Sequence, residues 1–281
     1  MSGREGRLAP ARALTGDDAG AAIELRGVRQ AFGELVALDG VDLQVPPHGR
    51  LAVVGPSGGG KSTLLGLVAG LLEPSAGSVR VGGEPDRRGR LRRCALMPQK
   101  DLLLPWRSAL DNACLALENQ GLSRPEARRR ARPLFQRFGL GEFERSLPGQ
   151  LSGGMRQRVA FLRTLLAGKQ VLLLDEPFGA LDSITRGRMQ EWLASALAAQ
   201  PSTVMLVTHD VEEALLLADL VVVLSDRPGR VVHQLEVAFQ RDGPRRALVA
   251  SQAFVGARQE ILEALERPGG ASSGNPAGVT R

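Results

Sequence analysis

Long apolar runs are missing from this sequence. No stretch of about 18 uncharged apolar residues occurs, the length a membrane-crossing helix needs. The greasiest segment, Val159 to Leu174, is interrupted by Arg163 and Lys169. The expectation is a protein that does not span a bilayer. No basic-then-apolar stretch of the signal-peptide kind opens it, residues 1–22 being polar and rich in Ala, Gly and Arg. Cysteine is scarce. Cys94 and Cys114 stand alone, at neither metal-ligand nor redox spacing, which suits a reducing compartment. Aromatics make up 4 % of the chain. Neither arginine cluster, Arg87 to Arg93 or Arg124 to Arg132, is interleaved with them as a base-stacking surface requires.

What is present is ordinary for a globular protein. Of 281 residues 43 % are apolar and 23 % charged, enough for a well-buried core and unlike a collagen-like, coiled-coil or wholly disordered chain. The net charge of +6 fits nucleic acid, an anionic membrane face or a phosphate ligand, or arginines spread over solvated faces. Residues 1–20 and 267–281, rich in Gly, Ala, Ser and Pro, read as flexible tails.

Between the tails, strand-like runs alternate with helical patterns, the mark of an α/β chain. Ile23 to Arg26, Val41 to Val45 and Ser78 to Val81 predict strands in the early part. Leu51 to Val54, Val171 to Leu174, Val204 to Thr208 and Val221 to Leu224 are near-continuous aliphatic runs, as in strands covered on both faces. Residues 102–167 hold no convincing strand. Ser123-Arg124-Pro125-Glu126 predicts a capping box, after which Ala127, Ala131, Leu134, Phe135 and Phe138 recur at helical spacing. A helical insert therefore interrupts the α/β core.

The strongest local signal is Gly55-Pro56-Ser57-Gly58-Gly59-Gly60-Lys61-Ser62-Thr63, placed between the strand at Leu51 to Val54 and an apolar helical run. This is the phosphate-loop pattern in its strand–loop–helix context, and chance gives it about 0.4 % of the time in such a composition. Glycines let backbone N–H groups converge on phosphate oxygens, and the helix N-terminus adds positive dipole. Lys61 suits the β- and γ-phosphates, and the Ser62 hydroxyl suits Mg²⁺. The strand Val171 to Leu174 ends in Asp175-Glu176. Alone this is a pair of solvated acids. Beside a phosphate loop, Asp175 suits Mg²⁺ through water and Glu176 an attacking water. Leu151-Ser152-Gly153-Gly154 opens a further helical pattern through Met155, Val159, Leu162 and Leu166, a second anion-binding helix end 91 residues after Lys61. Two such ends are odd for one nucleotide, and make sense if each nucleotide sits between the phosphate loop of one chain and the Ser-Gly-Gly end of another.

The phosphate loop, the Leu-Ser-Gly-Gly run and Asp175-Glu176, in this order, resemble the nucleotide-binding subunit of an ABC transporter over about residues 23–235. The resemblance implies a P-loop NTPase core with an N-terminal antiparallel β subdomain and an inserted α-helical subdomain. The nucleotide-binding domain spans 21–240, its helical subdomain about 100–167, followed by a helical extension at 241–266. Further residues match family positions. Phe32 matches the aromatic that stacks on adenine, although from the residues alone a core Phe is the better reading. Gln99 matches the glutamine linking Mg²⁺ and water to the membrane partner. Ala180-Leu181-Asp182 matches a loop crossing the dimer interface, and His209 the histidine at the γ-phosphate. Gly59 replaces a common Ser, Cys or Ala, a change expected to be harmless.

ATP and Mg²⁺ are the implied ligands, with Gly55, Ser57, Gly58, Gly60, Lys61, Ser62 and Thr63 of one chain and Ser152, Gly153, Gly154 and Asp182 of a second enclosing the nucleotide. Implied partners are that second copy, integral membrane permease subunits and, through them, a solute-binding protein, at the cytoplasmic membrane face. No nucleic acid is expected. The 281 residues hold neither the membrane segment of fused exporters nor a second cassette, and leave no room for a long coiled coil before Ser152. Leu104-Pro105-Trp106-Arg107, Phe178 to Arg186 and Asp226-Arg227-Pro228-Gly229-Arg230 resemble the nitrate, sulfonate and taurine importer branch, which includes hydroxymethylpyrimidine systems. Leu102 to Leu104 and Trp106 are expected to grip the membrane partner. The alternative function is a soluble ABC-type ATPase in a nucleic-acid-associated role, supported by the basic charge alone.

Overall fold

The computed structural model describes residues 22–179, 181–199, 202–239 and 245–267. The tails and Ala180 lie outside the described residues, Arg267 excepted. In chain order the elements are β1 (Ile23–Phe32), β2 (Leu35–Val45), β3 (Arg50–Val54), α1 (Lys61–Val68), β4 (Ala76–Val81), α2 (Arg87–Arg93), β5 (Cys94–Met97), α3 (Ala109–Asn119), α4 (Arg124–Arg137), α5 (Gly153–Leu166), β6 (Val171–Asp175), α6 (Ser183–Ala199), β7 (Thr203–Val207), α7 (Val211–Leu217), β8 (Leu220–Leu224), β9 (Val231–Glu236), α8 (Arg245–Val249) and α9 (Gln252–Glu266).

The aliphatic runs become the centre of a six-stranded sheet in the order β5-β6-β7-β3-β8-β9. It is parallel except for β9, which pairs antiparallel with β8. Alternate residues along β3 serve two different cores. Leu51 and Val53 face a layer containing α1 and the β1–β2–β4 sheet, whereas Ala52 and Val54 face the layer of α3, α5, α7 and α9. Two-sided burial is why these strands read as continuous hydrophobic runs. Each fully buried Leu or Val contributes about 1.5–3 kcal/mol relative to exposure.

A separate antiparallel sheet, in the order β2-β1-β4, covers α1. β1 extends well past the expected Arg26, because Gly27 (φ 53°) forms an irregularity that the strand passes through. Two strands were not anticipated. β5 is four residues long and follows directly on arginine-rich α2. β9 is an edge strand whose residues alternate between half-buried and exposed. Thr208 lies beyond β7, where its hydroxyl accepts from the Asp210 N–H instead.

Among the described residues, 102–167 form no strand, as expected. α4 buries Ala127, Ala131 and Phe135 and turns its arginines outward. The predicted capping box does not form. Ser123 makes no side-chain cap, and the Glu126 carboxylate is taken instead by Arg129 and Arg130 one turn on. Phe138 and Phe161 pack on Trp192 of α6 with ring centroids 4.1 and 5.9 Å apart, and Phe161 also meets Phe178. This aromatic cluster joins the helical part to the sheet just beyond β6.

Candidate functional site

The functional residues collect at the C-terminal ends of the parallel strands, where α/β folds bind ligands. β3 runs into the glycine loop, and Gly60, with φ 85°, caps α1 without a side chain. A Cβ on Gly60 would meet Leu38 Cδ2 at 2.6 Å. Gly59 is closely packed as well: a Cβ there would lie 2.8 Å from the Ser225 carbonyl oxygen. The loop N–H groups and the uncapped start of α1 together form an anion cradle.

Lys61 lies at the base of that cradle, 8 % exposed, its Nζ donating to the Gly55 and Pro56 carbonyls at 2.8 and 2.7 Å. Burial lowers its pKa, with Glu176 and then Asp175 partly opposing the shift. Asp175 ends β6 almost fully buried, and burial pushes its carboxyl up despite a hydrogen bond from Ser62. A serine hydroxyl, an aspartate and the amide oxygen of nearby Gln99 are hard oxygen donors. They fit Mg²⁺, which keeps water ligands and shares phosphate oxygens rather than needing an all-protein cage. Accordingly, the described residues contain no cluster of three or more His, Cys, Asp or Glu able to hold a metal.

Glu176 has a positive φ of 46°, rare for a non-glycine residue. Its N–H donates to the Val207 carbonyl at 2.8 Å, fixing the turn after β6. Its side chain is held from two directions. Gln99 Nε2 donates to one carboxylate oxygen at 2.8 Å, and His209 Nδ1 stands 3.5 Å from the other. His209 sits on the turn between β7 and α7 and is largely exposed.

The cleft encloses about 310 Å³ and is lined by Phe32, the phosphate loop, Gln99, Asp175 and Glu176. Phe32 is 47 % exposed, so the core reading of this residue is overturned and it stands free on the cleft wall. Ser152, Gly153, Gly154 and Asp182 are not among the lining residues. Ser152 caps α5 by accepting from the Met155 N–H, and Asp182 accepts from the Thr185 N–H. Ser152, Gly153 and Asp182 are exposed.

Sequence reasoning missed the support behind His209. Glu213 is buried, its carboxyl pushed up to about 8 mainly by desolvation, with Asp210 adding to the shift. It accepts from the Thr208 hydroxyl, while Asp210 caps α7 through the Glu212 and Glu213 N–H groups. Arg186 joins this turn to the Asp182 loop, donating to the Leu181 carbonyl with its guanidinium 3.7 Å from Asp210. Each of these residues alone reads as helix-start chemistry, and no local pattern marks them as one network.

A second surface lies on the helical part. Trp106 is 74 % exposed and Leu102 also faces solvent, but Leu103 belongs to the core. The intervening turn is clamped by fully buried Asn112, which accepts from the Leu104 N–H and donates to the carbonyls of Leu104, Arg107 and Ser108. Asp101 is held by Arg156, and Arg163 donates to the Asp101 and Leu102 carbonyls.

Residues 38–179 match the sequence profile of the ABC transporter family. The taurine import ATP-binding protein of Rhizobium johnstonii is 44 % identical over 239 residues, covering 83 % of this chain and 91 % of that one. The nitrate import ATP-binding protein of Synechococcus elongatus is 41 % identical over 238 residues, covering 84 % and 86 %. The dimeric structure of MJ0796, a bacterial ABC transporter cassette, superposes with a TM-score of 0.72 at 30 % identity, over 78 % of this chain and all of that one.

Proposed function

Because this chain belongs to the ABC transporter family, as an ATP-hydrolysing subunit of an importer, we propose that its cleft takes Mg·ATP and that two copies close over two nucleotides. Phe32 stacks on adenine, and the phosphate loop with Lys61 holds the β- and γ-phosphates. Ser62, Asp175 and Gln99 would hold Mg²⁺, which when bound neutralises phosphate charge. Ser152, Gly153 and Asp182 are exposed, and with half-buried Gly154 they lie outside their own chain's cleft, which supports their serving the cleft of the partner copy.

One observation carries the hydrolytic reading: the Glu176 carboxylate is fixed between Gln99 and His209, beside a phosphate cradle containing Lys61. Glu176 orients a water and accepts its proton as the water oxygen bonds to the γ-phosphorus. The bond to the β–γ bridging oxygen breaks, giving ADP and phosphate. His209 and Lys61 offset charge on the transferring group, and preorganised groups of this kind lower the barrier without rearranging.

No helix among the described residues is long and apolar enough to cross a membrane. The importer names of the relatives support a chain that works through permease subunits at the cytoplasmic membrane face, with a solute-binding protein delivering cargo. Exposed Trp106 and Leu102, on a turn braced by Asn112, form the surface offered to the permease. The taurine and nitrate names of the relatives support a small solute bearing an oxyanion group, a sulfonate or nitrate, over a pyrimidine. The importer names of the relatives favour the transport reading over the nucleic-acid alternative, which has only the basic net charge behind it. The test is ATPase rate in liposomes carrying the chain, its permease and solute-binding protein, against taurine, alkanesulfonates, nitrate and hydroxymethylpyrimidine. Stimulation by taurine, an alkanesulfonate or nitrate supports the reading. Stimulation by the pyrimidine alone overturns the cargo assignment.

A further inference from the structure

The segment Ser225 to Arg230 contributes one side chain, Arg227, to the lining of the cleft. It leaves β8 and is tied down at several points. The Ser225 N–H donates to the Arg230 carbonyl, and the Ser225 hydroxyl donates to the carbonyls of Asp226 and Pro228. The Gly229 N–H donates to the Ala37 carbonyl at 2.9 Å, and the Asp39 N–H returns a bond to the Gly229 carbonyl. Arg230 is occupied by Asp39. Gly229 packs so closely on the phosphate loop that a Cβ there would lie 2.2 Å from the Gly59 carbonyl oxygen.

From this anchored turn the Arg227 side chain enters the nucleotide cleft. Its Nη2 lies 3.2 Å from where a Cβ on Gly58 would stand, so the guanidinium rests against the phosphate loop. Among the described residues Arg227 makes no hydrogen bond or ion pair, unlike its neighbour Arg230. The acids lining the cleft are engaged elsewhere, Asp175 with Ser62 and Glu176 with Gln99. A guanidinium with five unused donors beside a phosphate cradle, on a braced support, matches a phosphate oxygen pair.

We propose that Arg227 is a nucleotide-contacting residue whose guanidinium binds phosphate oxygens of the bound nucleotide alongside the phosphate loop. The inference rests on the reading that the cleft holds ATP. It gives the Asp226 to Arg230 motif a physical role: the turn delivers to the phosphates a second cation from outside the glycine-loop pattern. Lys61 is buried at the base of the cradle, whereas Arg227 reaches it from the exposed side.

The experiment measures Kd for ATP and ADP by calorimetry on the full chain, comparing wild type with R227K, R227Q and R227E, with thermal unfolding of each. The expected result is an affinity loss of about tenfold in R227Q, a larger loss in R227E and a smaller one in R227K, with unfolding midpoints near wild type. Wild-type affinity in R227Q would overturn the proposal while leaving the ATP reading intact. Equal losses in R227K and R227Q, accompanied by lowered midpoints, would reduce Arg227 to a structural support. Failure of the wild-type chain to bind either nucleotide would remove the ATP reading itself, and the proposal with it.

Discussion

Gln99 Nε2 donates to Glu176 Oε2 at 2.8 Å across 77 residues of chain. The pairing follows from strand register. β5 and β6 are parallel neighbours with Met97 opposite Leu174, so the residues two places beyond that pair, Gln99 and Glu176, emerge at the same level. A one-residue slip would bury Gln99 or turn Glu176 away, and the aliphatic faces of both strands oppose such a slip.

Glu176→Gln keeps the size of the side chain and a polar partner for Gln99, but removes the proton acceptor. Phosphate release is expected to fall about 10²–10⁴-fold while ATP still binds. In size-exclusion chromatography with ATP the variant should run as a dimer. A variant that binds ATP yet stays monomeric at high concentration would count against the two-chain arrangement.

Phe32→Ala separates the stacking role from a core role. Phe32 is 47 % exposed, so the unfolding midpoint should barely move. Affinity for ATP should weaken by about fivefold or more, in keeping with about 1–3 kcal/mol for stacking a base on an aromatic ring. Unchanged affinity with a lowered midpoint would restore the core reading.

Lys61→Met removes a buried ammonium whose desolvation lowers its pKa. Without nucleotide the variant should be at least as stable as wild type, because burying a charge costs free energy that a methionine avoids. ATP affinity should drop by about tenfold or more. Calorimetry alongside urea denaturation reads both effects.

Glu213 makes stability depend on pH. Its folded-state pKa, about 8, stands above the usual value of 4.5. The native state thus holds a proton that the unfolded chain has released. The stabilisation is complete below pH 4.5 and disappears as pH rises through 8. Around pH 6 this group imposes a slope approaching about 1.4 kcal/mol per pH unit. Glu213→Gln, which keeps the side-chain size and can still accept from Thr208, should flatten that part of the profile measured by urea midpoints. A profile identical to wild type would place the titration elsewhere.

Asn112→Ala removes the side-chain partner of the Leu104 N–H and of the Arg107 carbonyl, while the Leu104 and Ser108 carbonyls keep their backbone donors. A stability loss of about 1–3 kcal/mol is expected, together with weaker recovery of the permease complex in detergent pull-down. Trp106→Ala, on the exposed side of the same turn, should weaken recovery without moving the melting midpoint.

The sequence by itself determined the phosphate loop, the Asp175–Glu176 strand end, the Leu-Ser-Gly-Gly helix start and the four central strands. In each, the chemistry is carried by neighbouring residues and the local backbone they favour. It also led to Gln99 and His209 through resemblance, but not to their convergence on Glu176. That convergence depends on which strands lie side by side. Tertiary packing decided the rest. Phe32 projects into the cleft instead of the core, and the Ser123 cap yields to arginines competing for Glu126. β5 and β9 form by pairing with stronger strands, too short or too evenly exposed to announce themselves. Glu213 and Arg227 acquire their surroundings from segments distant in the chain. Burial and unpaired charge are properties of the assembled neighbourhood, set by the packing of the sheets and helices around each side chain.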